Sequence, residues 1–494
     1  MKYIKGVFIF FLLLQLTFQT KAQRDINANT PSFHYRFETG FLAHENKLIP
    51  FWLRSNQSGA YPNEGTFGYI RQEAYSRLDS TSPKIGVNYG LDAFMLVGDR
   101  PVFIMPEYKL ELRLHKLTIG GGRYKGMMGL ADTTLTSGSL TWSGNALGIP
   151  QLRIAIPEYT KLFFKWFYFK GHFSHGWFGD QVTTYGSFLH QKSLYGRLGK
   201  PKGVLQLYGG ILHNVQWGGF PKYQPWGPGD DRFIDGKFPN DWNTYKEVVL
   251  PIHWKVNAEK YSYFELNNRF GNHVGQIDLG GSLNFKSYRL LLYKQTMVET
   301  GQTISSLSNT DDGLYGISYQ AKNNSVFKGI VGEYLRTTNQ GRYRSGIARL
   351  LGLQHRQYYE ETYYFNHMQY QDGWAYKNHT IGTPFLVPQQ EIRVENQEYP
   401  TAVFYNNNYI DAYYLAMRFK FPHVLVDSRF SYTKNYGSLF NRFERPISQF
   451  SSGMLMTIDL NTKGAYLKLN VGMDSGDLIY NTIGGNIAYM RIWN

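Results

Sequence analysis

The 494-residue chain contains no cysteine, which excludes disulfides, thiolate metal sites and a lipoprotein anchor. It also lacks the run of about 20 apolar residues that a helix needs to cross a bilayer. Its longest apolar stretch, Gly6 to Phe18, follows the cationic Met1-Lys2-Tyr3-Ile4-Lys5 and precedes Thr20-Lys21-Ala22. That is the pattern of an export leader cleaved after Ala22. The expected organisation is a signal peptide over 1–22 and one domain over 23–494, with Gln23 to Pro31 extended. Acidic residues are few, 37 against 52 Lys and Arg. In an exported protein a basic surface attracts anionic polysaccharide or lipopolysaccharide phosphate, while nucleic acid is an unsuitable partner for this compartment. No linker, low-complexity tract, tandem repeat or amphipathic helix stands out.

What is abundant is aromatic side chains and glycine: 39 Tyr, 34 Phe, 10 Trp and 51 Gly, at a mean hydropathy of −0.39. The stretch Ser143–Arg197 concentrates this composition, with aromatics interleaved by Lys and His and broken by Gly and Pro. Such spacing suits short strands in a wall with lipid on one side and water on the other. A large secreted sandwich or propeller would share the composition.

Strict alternation favours the wall. Tyr413, Leu415, Met417, Phe419 and Phe421 oppose Tyr414, Ala416, Arg418 and Lys420; Leu467, Leu469, Val471 and Met473 oppose Lys468, Asn470 and Gly472. Met454, Met456, Ile458 and Leu460, and earlier Leu110, Leu112 and Leu114, repeat the pattern. Successive strand residues point to opposite faces, so charges here belong in a lumen and the apolar partners against lipid. The expected fold is an all-β transmembrane antiparallel barrel of about 16–18 strands in the outer membrane, with long extracellular loops. With the C-terminus periplasmic, Asn461–Gly464 and Pro422 fall on short inner turns. Asp474–Gly484, Lys434–Ser452 and Asn366–Asp411 then fall on outer loops.

Candidate chemistry is sparse. His172 and His175 are on opposite faces of a strand and cannot share one ion without a bulge. Ser174–His175 and His190/Ser193 are adjacent only in sequence, and no Gly-x-Ser-x-Gly elbow is present. No catalytic residue, metal or cofactor is assigned. Glycan binding requires aromatic faces beside Asp, Asn and backbone groups. His213–Tyr245 offers these, as does the later loop around Tyr370–His379. The candidate binding residues are Trp217, Trp226, Asp230, Asp231, Trp242, Asp372, Trp374 and Tyr376, and the same rings equally suit an interfacial girdle or loop packing. His213–Tyr245 also suits an inward plug.

Seven strings resemble the Wzi family of outer-membrane capsule-assembly proteins in its Bacteroidetes-like form. They are Pro50–Gln57, Ser143–Leu147, Ile156–Tyr159, His175–Gly179, Leu189–Arg197, Gln216–Gly219 and Ile381–Phe385. They run in the family's order across most of the mature chain. The resemblance implies a barrel of about 18 strands with a lectin-like role, anchoring capsular polysaccharide and assisting capsule assembly. The reading taken beside it is no enzyme activity, a monomer, and contact with surface polysaccharide, outer-membrane lipid and lipopolysaccharide. Enteric members also carry a periplasmic helical bundle, for which this sequence shows no convincing helical segments. The rival functions are a porin-like channel with a basic lumen and an outer-membrane lipid or glycan hydrolase.

Overall fold

A computed structural model describes residues 32–77, 84–98, 101–162, 164–222, 232–251, 258–355, 361–397 and 404–493. The expected leader, 1–22, and Gln23–Pro31 lie outside the described residues. An 18-stranded barrel is built in chain order. Its first nine strands are β1 (Ser32–His44), β2 (Phe67–Arg77), β3 (Ile85–Val97), β4 (Val102–Leu114), β5 (Leu117–Arg123), β6 (Gln151–Lys161), β7 (Phe167–Asp180), β8 (Thr184–Leu198) and β9 (Leu205–Trp217). The second nine are β10 (Asn272–Asn284), β11 (Tyr288–Val298), β12 (Gly313–Ala321), β13 (Phe327–Arg336), β14 (Ile410–Lys420), β15 (Val424–Gly437), β16 (Arg442–Asp459), β17 (Ala465–Gly476) and β18 (Thr482–Trp493). All pair antiparallel, and β18 returns to β1 with Tyr35 opposite Trp493, closing the sheet. Closure leaves no edge, the condition for placing strands in hydrocarbon.

The alternation read from sequence holds in space. Leu415, Leu110, Met454 and Val471 are exposed on the outer wall, whereas Tyr414, Glu111 and Ala416 are buried inside. Tyr315, Tyr334, Tyr413 and Tyr432 stand side by side in register across β12–β15 and form an outer aromatic belt. Tyr288, Tyr319, Phe327 and Phe419 form an inner one, with ring centroids 5.5–5.9 Å apart. Between the belts lies the apolar band expected of an outer-membrane wall. Arg491, which looks misplaced on β18, lies 5.2 Å over the ring of Trp493 and so carries its charge toward the end of the strand.

The two ends of the barrel differ. At one end the connections between strands are 78–84, 115–116, 162–166, 199–204, 285–287, 322–326, 421–423 and 460–464, all short, and β1 starts and β18 ends here. The other end carries 45–66, 124–150, 218–271, 299–312 and 337–409. Short turns mark the periplasmic side and long connections the exterior. In the turn 460–464 a Cβ on Gly464 would come within 2.2 Å of the Ile492 carbonyl, at φ +72°. Only glycine fits there.

Three expectations are corrected. Lys434–Ser452 is not a long loop: β15 and β16 remain paired to Gly437–Arg442, leaving 438–441 as the turn. This part of the hairpin lies at the outer end of the wall, where no lipid enforces alternation, so its sequence reads as loop. Asp474–Gly484 shrinks likewise to 477–481. Helices are present but short: α1 (Phe51–Arg54), α2 (Trp242–Val249), α3 (Tyr263–Asn267), α4 (Gly301–Ser306) and α5 (Gly346–Leu350). Each is too brief to show a clear 3.6-residue periodicity.

Candidate functional site: an occluded lumen beneath an outer crown

Three connections turn inward. The segment 124–150 has little backbone pairing of its own, so its N–H groups need acceptors inside the barrel. Inward side chains supply them. Asp278 Oδ2 accepts from Leu130 N at 2.8 Å, Gln295 Oε1 from Leu140 N at 2.7 Å and Gln276 Oε1 from Thr141 N at 2.9 Å. Glu333 accepts from Ser137 N at 2.8 Å and from the hydroxyls of Thr136 and Tyr293. Asp132, deeper in the segment, accepts from Gln320 Nε2 at 2.8 Å and from Ser318. Gln320 lies one residue from the periplasmic end of β12, so the insert reaches through the lumen.

The second insert, 45–66, carries α1. Phe51 N donates to Asp474 Oδ2 at 2.8 Å and Trp52 Nε1 to Ser431 Oγ at 3.0 Å. A Cβ on Gly453 would stand 2.7 Å from Trp52 Cβ, so β16 is glycine where the helix presses on it. The third, 361–397, locks the other two together. Ser143 N donates to the Ile381 carbonyl at 3.0 Å and Thr383 N to that of Leu140 at 2.9 Å. Phe385 lies 5.8 Å from the rings of both Phe51 and Trp52. Arg54 Nη1 donates to Glu391 Oε2 at 2.6 Å. The result is a dry core within the barrel that includes Phe51, Trp142, Leu140, Trp374 and Phe385. A long outer loop was expected over Asn366–Asp411; the connection is 337–409, and its middle fills the lumen.

This packing settles where the candidate residues sit. Trp374 is 0% exposed and its Nε1 donates to the Thr141 carbonyl at 2.8 Å. Tyr376 is 3% exposed against Phe178. Asp372, 4% exposed, accepts from Thr183 N and Thr184 Oγ1, both at 2.9 Å, and ties the third insert to the β7–β8 turn. These three belong to the plug's interior and are not available to an external sugar. Trp217 is 4% exposed, on the outer wall beneath α2, with Tyr245 5.4 Å from its ring. Trp242 is 69% exposed on the same excursion, 218–271. In the described part of that excursion α2 packs on the outer wall over Val215 and Trp217, whereas Phe233 and Phe238 pack against Tyr370 of the third insert and Glu265 accepts from Gln369 Nε2 at 3.0 Å. Trp226, Asp230 and Asp231 lie outside the described residues.

Beside Trp242, Asp241 caps α2 and accepts from Thr244 N at 2.8 Å and Tyr261 OH at 2.7 Å. Partial burial pushes its carboxyl up, but these hydrogen bonds outweigh that and hold it below the usual range. Exposed Asn240, Asn243 and Tyr263 complete a ledge.

A second surface was not visible from sequence. At the β17–β18 turn, Tyr480 lies between Lys47 and Arg393, 5.7 and 5.8 Å from its ring centroid. Asn46 Nδ2 donates to the Asn481 carbonyl at 2.9 Å and Asn396 Nδ2 to that of Asp477 at 2.7 Å. Three segments far apart in the chain thus build a crown of amides, cations and one ring, seated on the plug. Nothing local in any of the three segments announces it.

Among the described residues the histidines and serines singled out from sequence are only partly brought together. His172 points inward and His175 outward, and among the described residues no three His, Cys, Asp or Glu side chains converge on a metal site. Ser193 Oγ meets His172 Nδ1 at 2.7 Å, and the other ring nitrogen faces the amide oxygen of Gln191 at 3.1 Å. An amide, not a carboxylate, holds that ring.

These features define the class: an outer-membrane β-barrel of 18 strands whose lumen is occupied by its own outer connections. No family model and no curated protein matches the chain. Among solved structures it is similar to Wzi of Escherichia coli, described as an outer-membrane protein involved in group 1 capsule assembly and a carbohydrate-binding β-barrel. Identity is 11%, over 92% of this chain and 83% of that one, with a TM-score of 0.55. The likeness is one of fold. OccD3 of Pseudomonas aeruginosa (9% identity, 94% and 91% covered, TM-score 0.45) and OccAB2 of Acinetobacter baumannii (10%, 94% and 98%, 0.47) also align.

Proposed function

We propose that this protein is a non-conducting, non-catalytic, lectin-like barrel that binds and anchors surface, capsular polysaccharide at its outer face and so assists capsule assembly. The observation that carries the reading is the filled lumen. Three inserts joined by hydrogen bonds and a shared apolar core occupy the space a channel would need, while the crown around Tyr480 and the ledge around Trp242 offer rings beside amides and charges. These are groups that engage sugar C–H faces and hydroxyls. The overall likeness to a carbohydrate-binding barrel agrees with this.

The test is glycan-array binding by detergent-purified full chain, compared with Tyr480→Ala, Arg393→Ala and Trp242→Ala. Binding should fall in the crown variants, and planar bilayers should show no stepwise conductance. Stepwise current from the wild type would instead support the porin-like alternative, and turnover lost on replacing Ser193 or His172 would support a hydrolase.

A further inference from the structure

Away from the crown, a groove of ≈ 830 Å³ lies on the outer, lipid-facing wall. One registered row crosses it: Gly281, Leu292, Ile317, Gly332, Leu415 and Phe430 on β10–β15. The two glycines set the floor. A Cβ on Gly281 would meet its nearest atom at 3.4 Å, and on Gly332 at 3.6 Å, so packing does not demand glycine at either position. The inward glycines beside them differ, since a Cβ on Gly316 would stand 2.1 Å from the Tyr293 ring. The outward pair therefore leaves a depression that the fold does not require.

The next row toward the exterior is the tyrosine belt, and above it the row Arg336–Asp411–Lys434. Asp411 is taken up by the hydroxyls of Tyr334 and Tyr436 at 2.7 and 3.0 Å. Arg336 Nη2 donates to Tyr343 OH at 3.1 Å, which brings the segment carrying α5 to the top of the groove. That segment exposes Ile347, Leu350 and Leu351 together with Arg344 and Arg349. The nearby acids are engaged: Asp311 accepts from Gly346 N at 3.0 Å, and Glu361 pairs with Arg342 at 3.3 Å. Among the described residues Lys434, Arg344 and Arg349 have no ion-pair partner.

An apolar slot, then an aromatic belt, then unpaired cations is the profile of a lipid with several acyl chains and a phosphorylated head. We infer that this wall holds one such lipid of the outer leaflet, a diphosphorylated, multiply acylated lipid A-type anchor. Its acyl chains would lie over Gly281 and Gly332, with its phosphates at Lys434 and Arg344. Charge complementarity selects it over a neutral or singly charged phospholipid, because charge-assisted bonds to phosphate are the strong ones. The inference needs only the membrane placement and is independent of the polysaccharide reading.

The experiment is native mass spectrometry of the detergent-purified full chain with diphosphoryl lipid A, monophosphoryl lipid A or dioleoyl phosphatidylglycerol. The wild type should retain a single diphosphoryl lipid A, with the other two bound at least about tenfold more weakly. The double variant Lys434→Ala/Arg344→Ala should lose the preference for diphosphoryl lipid A. Gly281→Leu/Gly332→Leu should lose retention while keeping the heat-modifiable mobility of a folded barrel. If that variant does not fold, the surface-charge variant decides alone. Equal retention of all three lipids, or unchanged preference in the charge variant, overturns the proposal.

Discussion

At the residue scale, two of the four tryptophans chosen from sequence for one role, Trp374 and Trp242, have opposite environments. Trp374 contributes its whole ring to the plug core and a hydrogen bond to the Thr141 carbonyl. Trp374→Ala removes both, and large aromatic truncations in cores cost about 3–5 kcal/mol. Urea unfolding of the barrel in detergent should shift by that order. Trp242→Ala, on an exposed ring, should leave the midpoint within about 0.5 kcal/mol, as surface substitutions usually do. The sequence contained no means of separating them. Both stand in aromatic, Asp-rich, glycine-broken stretches, and burial is decided by segments hundreds of residues away.

At the scale of elements, the strands were legible because lipid on one side and water on the other enforce a period of two. Where that constraint ends, as along Lys434–Ser452, the reading failed. The plug was illegible for the complementary reason: apart from Leu135, Leu140 and Trp142, Thr133–Asn145 is short polar and glycine residues that read as solvent loop, and its partners are single Gln, Glu and Asp residues scattered over several strands. Yet the strings resembling the Wzi family include Pro50–Gln57, Ser143–Leu147 and Ile381–Phe385, and these meet inside the barrel. Asn145 Oδ1 accepts from Asn56 N at 3.0 Å, and Ser143 Oγ donates to the Gly382 carbonyl at 2.6 Å.

The third insert is held from the β11–β12 connection, which makes it pH-sensitive. Glu299 accepts from Phe365 N at 3.2 Å, and burial pushes its carboxyl up to about 8. Asp312 accepts from Gln340 N at 2.7 Å and Tyr364 OH at 3.2 Å, and burial pushes it up to about 7. An acid with a raised folded pKa binds its proton more tightly when folded. Its contribution is therefore present at low pH and lost as pH rises from the unfolded value near 4 through 7 to 8. Limited proteolysis within 361–397 should be slower at pH 5.5 than at pH 8.5, and Glu299→Gln should flatten the difference. Faster cleavage at the lower pH would contradict this assignment.

At the scale of the whole molecule, the barrel wall and its filling are separable. Eighteen strands close on themselves, and part of the inner wall needs no plug to satisfy it. Arg418 binds Asp427 bidentately at 2.6 and 2.7 Å, and Lys468 Nζ reaches both Glu38 oxygens at 3.0 Å. Other inward groups, Gln276, Gln295, Glu333 and Asp278, are polar and would accept water in place of the plug's backbone. A chain in which 127–147 is replaced by a short Gly-Ser linker should therefore still insert as a barrel, though it would lose Leu135, Leu140 and Trp142 from the core. The inserts 45–66 and 361–397 would then have lost a shared partner, because Ser143, Leu140 and Thr141 bond to 361–397 while Gly144 and Asn145 accept from Ser58 N and Gly59 N of 45–66. Hydrated space should open from the Gln276–Gln295 level to the periplasmic vestibule lined by Arg418, Lys420 and His423. In planar bilayers the shortened chain should pass current, with anions favoured by those cations, while the full chain remains silent. Folded but silent shortened barrels would mean that 45–66 and 361–397 seal the lumen without 127–147, and the seal would then have to be sought at the contact between α1 and Phe385.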